Sequence, residues 1–425
     1  MVVGEELAVW LYGTRVAVID RDRRGRPTLQ YTDEALERYP LGTPLLSLAM
    51  PLVRQRYAQG VTRALLDGLL PEGEPRTVIA NDVGVDRDDT FGLIRELGRD
   101  CAGAMVIQPD NEAAPPPAST LRAEALDELA IEELVANLRS APLGVSGRVR
   151  VSLAGIQEKL LLTRRPDGRW GRPLDGTPST HILKPEIAAY PRTVQNEAFC
   201  MRLARHLGIQ VAPVETTVVG QRPLIVVERY DRVIQDDGAV ERIHQEDFCQ
   251  AVAVLPQRKY QEDGGPSLRR IAEVLQSAVS DDSVERLLQA VTMNVLVANG
   301  DAHGKNFSLL HDPDGALRLA PLYDVICTLV YGDDGLAMYI DDVRRASKVT
   351  SDRLINEAAS WGVPRRRAHA VIASLLADAP RALEAARVDI PGVADEVVKV
   401  VRSQLDRLRG TLPSAEALAH SASRR

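Results

Sequence analysis

Cysteine is scarce in this chain: four in 425 residues, at Cys101, Cys200, Cys249 and Cys327, far apart and with no CxxC or paired Cys/His spacing. That excludes a disulfide framework and a thiolate zinc site, and it predicts reduced, mostly buried thiols. No stretch approaches the ~18 consecutive apolar residues of a membrane helix, and Glu5 and Glu6 precede any apolar run, where a secretory leader would carry positive charge. These absences predict a cytoplasmic protein with no membrane partner. Net basic charge is missing too: 52 Lys and Arg stand against 59 Asp and Glu, a formal charge of −7, which argues against strong autonomous nucleic-acid binding. Arg-rich pieces such as Arg344-Arg345 and Arg365-Arg366-Arg367 read as solvated helix faces, able to touch phosphate only where a partner supplies the main affinity. There is no internal repeat.

What is present suffices for two to three ordinary cores, since 45% of the residues are apolar. Residues 1–109 mix strand signals (Leu7 to Ile19) with helix signals (Arg54 to Leu70, Asp89 to Leu97) and form a small N-terminal α/β module. Residues 110–130 read as a linker, stiffened by the Pro-rich run Ala113 to Ser119. Residues 131–260 carry several strands around one helix. Residues 261–413 are mostly helical, with helices expected at Ser267 to Ala278, Asp282 to Ala298, Ser351 to Trp361 and Ala394 to Arg409. Residues 414–425 form a frayed tail.

The most informative segment is Asn299-Gly300-Asp301-Ala302-His303-Gly304-Lys305-Asn306-Phe307, which places a carboxylate and a carboxamide five residues apart after an apolar helix. That is the acid-to-amide spacing of a protein-kinase catalytic loop, in which the acid orients the acceptor hydroxyl and the amide holds magnesium. Short Asp and Asn side chains also build turns by bonding to nearby backbone. The setting favours the kinase reading. Val284, Leu287, Leu288, Val291 and Val295 recur at helical spacing, so a buried helix leads into the loop. Phe307 to Leu310 and Leu317 to Leu319 then read as strands joined by a turn at Asp312-Pro313-Asp314-Gly315. Beyond them Asp324 falls where kinases place a second magnesium-binding acid, although a turn cap after Pro321 is the bland alternative.

Two upstream segments fit nucleotide binding. Val151-Ser152-Leu153-Ala154-Gly155-Ile156-Gln157-Glu158-Lys159 is a small-residue turn entering an apolar strand, and small residues let backbone N–H groups approach phosphate. It lacks both the GxxxxGK[ST] and the GxGxxG patterns. Thr180 to Pro185 is a short strand carrying Lys184 on the same face as Ile182, placed either to pair with phosphate or to snorkel to water. Thr193 is a candidate cap for the following helix, which stops at Gly208 and carries Glu197 as a candidate ion-pair partner of Lys184. A strand from Leu224 to Val227 empties into Glu228-Arg229-Tyr230-Asp231-Arg232, as an adenine-binding hinge does.

These residues together resemble the HipA-type serine/threonine kinases, the toxin half of a bacterial toxin-antitoxin pair. The likeness rests on Ser152 to Lys159, His181 to Lys184, Asn196-Glu197, Val227 to Arg232, Gln245 to Gln250, Asp301 to Phe307 and Tyr323-Asp324. It extends forward through Pro44 to Leu48, Gly68 to Glu72 and Ile94 to Asp100, so nearly the whole chain is covered. The resemblance implies an α+β, two-lobed, protein-kinase-like fold with a mostly helical C-terminal lobe. It implies ATP and Mg2+ as cofactors, Asp301 as catalytic acid, and Asn306 and Asp324 as metal ligands. Nucleotide contacts fall to Ser152, Ala154, Gly155, Ile156, Gln157, Lys159, Lys184, Glu228, Tyr230 and His303, the last a loop-shaping residue on an unaided reading. Ser152 matches the serine that such kinases autophosphorylate, displacing the phosphate loop and switching the enzyme off. In charge terms a phosphate brings about −1.5 to −2 at neutral pH and would repel the triphosphate, whereas a Ser that merely satisfies a turn is the plain alternative.

The resemblance also implies partners: a helix-turn-helix, HipB-like antitoxin, operator DNA reached only through it, and a protein substrate such as an aminoacyl-tRNA synthetase. A catalytically silent corepressor scaffold, and a kinase for a small-molecule or lipid acceptor, are the rival readings. The first would need a lost catalytic residue. Acceptor choice lies in surface loops, so the second stays open.

Overall fold

The computed structural model describes residues 5–116, 123–145, 149, 151–236, 238–279, 282–312 and 315–414. The strands are β1 (Leu7–Leu11), β2 (Thr14–Arg21), β3 (Pro27–Tyr31), β4 (Val106–Pro109), β5 (Ala123–Ala125), β6 (Leu160–Arg164), β7 (Trp170–Pro173), β8 (His181–Pro185), β9 (Val214–Val219) and β10 (Arg222–Glu228). After them come β11 (Arg232–Ile234), β12 (Val240–Arg242), β13 (His244–Asp247), β14 (Ser308–His311), β15 (Leu317–Leu319), β16 (Gly335–Ile340) and β17 (Val343–Arg345). The helices are α1 (Asp33–Arg38), α2 (Gln59–Leu69), α3 (Gly73–Asp82), α4 (Thr90–Leu97), α5 (Glu128–Ala136) and α6 (Thr193–His206), then α7 (Phe248–Ala251), α8 (Leu268–Ala278), α9 (Ser283–Leu296), α10 (Ser351–Ser360), α11 (Arg365–Asp389) and α12 (Asp395–Gly410). The fold is α+β, in two compact units. One comprises residues 1–185, 217–257 and 310–316, the other 186–216, 258–309 and 317–425. Each unit is assembled from three separate stretches of the chain.

In the first unit an antiparallel sheet of order β3-β2-β1-β4 packs Leu7, Val9, Leu11, Val16 and Ile19 against Leu65, Leu66 and Leu69 of α2 and Phe91 and Ile94 of α4. The apolar run from Leu7 to Ile19, expected to hold strands, is the hairpin of β1 and β2. Tyr12 and Gly13 both take positive φ (51° and 77°), the backbone of a tight turn between twisted strands. Helix α2 starts at Gln59 rather than Arg54, because Tyr57 is still engaged in strand-like bonds with Leu29, N–H to O in both directions. Asp89 caps α4 as its position suggests, accepting from the Gly92 N–H.

A second sheet of order β5-β7-β6-β8-β10-β9 carries Lys184 on β8, opposite Ile225 of β10. The expected linker ends early. Within it Ala123–Ala125 is strand β5, paired with β7, and α5 begins at Glu128 to bury Ile131 and Val135 against Leu160, Leu162, Leu183 and Val226. Residues 117–122 of that linker and the tail beyond 414 lie outside the described residues, as do Pro313 and Asp314 of the expected turn.

The second unit is built around α9, whose Leu287, Leu288, Val291 and Val295 are buried as their period requires. Gln404 of α12 donates Nε2–H to the Val295 carbonyl (2.8 Å), tying the C-terminal helix to the end of α9. Helix α11 runs through Pro380, which lacks the N–H for an i→i−4 bond. Thr193 does not cap α6. It is the first helical residue, its hydroxyl accepts from the Ile187 N–H (3.0 Å), and the cap position is Arg192 in the left-handed region.

Candidate active site

Helix α9 ends at Leu296, and the chain turns through Ala298, which takes φ +52°. Asn299 then stiffens the exit: its Nδ2–H donates to Asn294 Oδ1 (2.8 Å), and its Oδ1 accepts from the Asp301 N–H (3.1 Å). Gly300 donates its N–H to Thr328 Oγ1 (2.8 Å) and lies so close to a neighbouring strand that a Cβ would fall 2.2 Å from the Gly335 carbonyl oxygen. Only glycine fits there. Together these contacts fix the backbone that presents Asp301.

The Asp301 side chain keeps 46% of its surface open and accepts a 2.6 Å hydrogen bond from the Tyr260 hydroxyl on Oδ1. Desolvation, then the charge of Asp324, hold its carboxyl above the usual carboxylate range, against the Tyr260 hydrogen bond and the Lys259 charge. Asn306 donates Nδ2–H to the Asp301 carbonyl (3.0 Å). The amide's carbonyl end is therefore the one able to ligate a cation.

Asp324 takes φ +57°, a left-handed conformation that Asp tolerates better than most residues and that costs about 1 kcal/mol or more. It is held from both sides. The preceding Tyr323 hydroxyl donates to the Lys305 carbonyl (2.6 Å) and meets Ser308 Oγ at 2.7 Å. Three residues on, Asn196 of α6 brackets Cys327, accepting its N–H and donating to its carbonyl, each at 3.0 Å. Strained backbone of this kind persists only where its surroundings hold it, as these contacts do.

His303 is buried, edge-on to Tyr260 with ring centroids 5.3 Å apart. Burial, aided by Lys259, pushes it down to about 3. It is neutral at pH 7, and its buried Nδ1 has no hydrogen-bond partner among the described atoms. Its Nε2 stays 3.9 Å from Asp301 Oδ1. Of the residues singled out for one chemistry, the second unit thus brings together Asp301, His303, Asn306 and Asp324, with Glu197 buried on α6 beside Asn196.

In the first unit the loop at 152–157 is anchored to the N-terminal module. Ser152 has no exposed surface; its hydroxyl donates to the Leu69 carbonyl (2.7 Å) and its N–H to the Asp100 carbonyl (2.9 Å). Gly155 takes φ +116°, with Lys159 Nζ 2.5 Å from where a Cβ would be, and its carbonyl accepts from the Glu72 N–H (3.2 Å). Lys159 donates Nζ–H to the Ala154 carbonyl (2.6 Å), while Ile156 is 57% exposed. Lys184 is buried on β8, Glu228 ends β10 exposed, and the Tyr230 hydroxyl bonds Gln245 Oε1.

The stretch expected as a hinge carries a buried network of ion pairs. Arg229, Asp231 and Arg232 are buried with Asp100: Arg232 pairs with Asp100 Oδ1 (2.9 Å), Arg229 with Asp231 Oδ2 (2.9 Å), and Ser179 Oγ–H donates to Asp100 Oδ2 (2.6 Å). Burial disfavours the Asp100 carboxylate, but Arg232, Arg229 and Arg242 outweigh it and hold the group below the usual range.

No group of three or more His, Cys, Asp or Glu able to hold a metal occurs among the described residues. Magnesium does not need one, since it takes one or two protein oxygens and completes its octahedron with phosphate and water. Asn306 and Asp324 supply hard oxygen donors of that kind, and the mutual repulsion of Asp324 and Asp301 favours a cation there. A cleft of about 240 Å3 in the same unit, lined in part by Gln210, Asp282, Arg286 and Asn306, includes neither Asp301 nor Asp324.

The chain matches the HipA N-terminal domain over residues 7–108 and the HipA-like C-terminal domain over residues 151–383. It belongs to the HipA family. This HipA-family chain is 40% identical over 392 residues to the putative kinase Y4mE of Sinorhizobium fredii, covering 89% of this chain and 92% of that one. It is 32% identical over 340 residues to the serine/threonine-protein kinase toxin HipA of Shewanella oneidensis, covering 75% and 76%. Its structure is similar to the HipA chain solved in the Shewanella oneidensis toxin-antitoxin complex of HipA, HipB and operator DNA, with TM-score 0.78, 25% identity and 96% of each chain covered. The protein is a HipA-type protein kinase, dependent as kinases are on a nucleotide and a metal. Among the described residues no helix is long and apolar enough to cross a membrane.

Sequence reasoning missed Tyr260, Thr328 and the paired roles of Asn294 and Asn299. Tyr260 lies 41 residues before Asp301 in a polar turn, where nothing in the local pattern marks it. Asn299 was visible as a polar residue ending an apolar helix, the signal that could have identified a loop brace.

Proposed function

We propose that this kinase transfers the γ-phosphoryl group of ATP to a Ser or Thr hydroxyl of a protein, and that it serves as the toxin of a toxin-antitoxin pair. The observation that carries the proposal is the convergence on one loop of the half-exposed Asp301, the Asn306 amide bonded to its backbone, and the Asp324 charge felt at its carboxyl. In the reaction the acceptor oxygen bonds to the γ-phosphorus as the bond to the β–γ bridging oxygen breaks, and ADP leaves. Asp301 orients the acceptor hydroxyl and takes its proton. Lys184 and the backbone of residues 152–157 hold the triphosphate, Glu228 and Tyr230 lie where the base is read, and Glu197 is assigned as the partner of Lys184. Magnesium, held by Asn306 and Asp324, would neutralise the charge on the phosphate oxygens. Such catalysis is positioning plus charge compensation.

Three finer assignments come from the resemblance. The acceptor is a translation component such as an aminoacyl-tRNA synthetase, and a HipB-like helix-turn-helix antitoxin restrains the kinase and carries it to operator DNA. The complex of the Shewanella relative, with HipB and its operator, supports that partner, and the acidic balance of this chain fits indirect DNA contact. Ser152 is assigned as an inhibitory autophosphorylation site. Its complete burial means that the loop must leave Leu69 before its hydroxyl can accept phosphate.

The test is γ-labelled ATP with Mg2+ and the full chain, alone and then with bacterial lysate. Label in the chain and in one additional protein band is expected. Label in lipid or sugar identifies a kinase of another acceptor, and no label at all identifies a silent scaffold.

A further inference from the structure

We infer that Tyr260 is a positioning residue for phosphoryl transfer: its hydroxyl holds one oxygen of Asp301 so that the other oxygen is presented to the acceptor. The inference rests on the kinase reading and adds a residue to it. An Asp side chain on an open loop rotates about its terminal bond, and an acid that must meet a hydroxyl in one orientation loses rate by wandering. Tyr260 supplies the missing restraint, through a 2.6 Å bond to Oδ1.

The tyrosine is itself held firmly. Its carbonyl accepts from the N–H of Gly265 (2.8 Å) and of Asp263 (3.1 Å), closing a tight loop in which Gly264 takes φ +89° and a Cβ on Gly265 would fall 2.5 Å from the Arg258 carbonyl oxygen. That loop is tied to the catalytic segment by the Gly304 N–H, which donates to the Lys259 carbonyl (3.4 Å), and to β16 by the Tyr339 N–H, which donates to Gln261 Oε1 (2.8 Å). The ring has a wall of its own in the buried His303, at 88° and 5.3 Å. His303, with no role in proton transfer that its geometry supports, thus acquires one in packing: it orients the tyrosine that orients the acid. Lys259 Nζ lies 5.7 Å from the Tyr260 ring centroid.

The experiment compares full-length wild type, Tyr260→Phe and Asp301→Ala with γ-labelled ATP and Mg2+, using casein as acceptor probe. It follows kcat, KM for ATP, MgATP affinity by calorimetry, and Tm. Phe keeps the ring against His303 and removes only the hydroxyl. The expected result is a kcat lower by about tenfold or more, the size of losing one hydrogen bond to a charged group, with KM for ATP, MgATP affinity and Tm unchanged. His303→Leu, which removes the wall and keeps the hydroxyl, is expected to lower kcat in the same direction. A Tyr260→Phe protein with wild-type kcat overturns the inference and leaves the kinase reading standing. A loss of kcat that comes with loss of MgATP affinity or of Tm overturns it as well, since the tyrosine would then be structural. If wild type transfers no more phosphate than Asp301→Ala, the kinase reading and this inference fall together.

Discussion

Replacing Ser152 with Asp tests the coupling between the phosphate loop and the N-terminal module. In the structure Ser152 is sealed: its hydroxyl and N–H donate to the Leu69 and Asp100 carbonyls, and the Glu72 N–H donates to Gly155 in the same loop. With each such bond worth about 1 kcal/mol net, the closed loop is favoured by about 3 kcal/mol, or roughly 100-fold. A carboxylate at position 152 would be buried facing the Leu69 carbonyl oxygen, at a cost of several kcal/mol. That exceeds the roughly 3 kcal/mol of the three bonds and expels the loop. Ser152→Ala loses one bond and leaves the Leu69 carbonyl unpaired, about 1–2 kcal/mol, so its loop stays mostly closed. Hydrogen exchange reads this directly: the Ser152 and Glu72 amides should lose about 100-fold protection in Ser152→Asp and about tenfold in Ser152→Ala, and ATP affinity should collapse only in the former. Ser152→Asp with wild-type protection at both amides and wild-type ATP affinity would refute the coupling.

Other residues give further expected outcomes. Gly300→Ala must push the Gly335 strand away from the catalytic loop, because no side chain yields at 2.2 Å from a backbone oxygen; kcat should fall at least about tenfold, and a crystal structure should show the displaced loop. Asp324→Asn keeps the size of the side chain and removes its charge, so turnover should fall by orders of magnitude at low Mg2+ and recover in part as Mg2+ is raised, read by an Mg2+ titration of phosphate transfer. The carboxyl of Asp100 is held below the usual range by its arginines, so its contribution to stability is fully present above the unfolded value of about 4 and is lost as pH falls through the lower folded value. A pH series of Tm should therefore show wild type losing stability below about pH 4, while Asp100→Asn starts at least about 3 kcal/mol less stable at neutral pH and loses less on acidification.

The loop proposed as catalytic stood out because two independent signals met there. The buried period of α9 predicts a helix, and the Asp301 to Asn306 spacing predicts a catalytic loop at its end; both are local in sequence. The second acid at Asp324 was legible by order alone, but its left-handed backbone and the Asn196 bracket that holds it depend on contacts 131 residues apart. Tyr260 was hidden for the same reason. Misreadings had local causes. Thr193 has the chemistry of a cap but is used one position late, with its hydroxyl closing the Ile187 turn. The buried pairing within Arg229 to Arg232 was not legible, since nothing in that stretch reveals Asp100, more than a hundred residues earlier, as its counter-charge.

The central claim is tested most directly by phosphoproteomics after brief expression of wild type and Asp301→Asn in bacteria. A discrete Ser or Thr site on one cellular protein, phosphorylated with wild type and absent with Asp301→Asn, together with growth arrest only in the former, is the predicted result. Equal phosphoproteomes with equal arrest, or new phosphate confined to lipid or small molecules, would contradict the account.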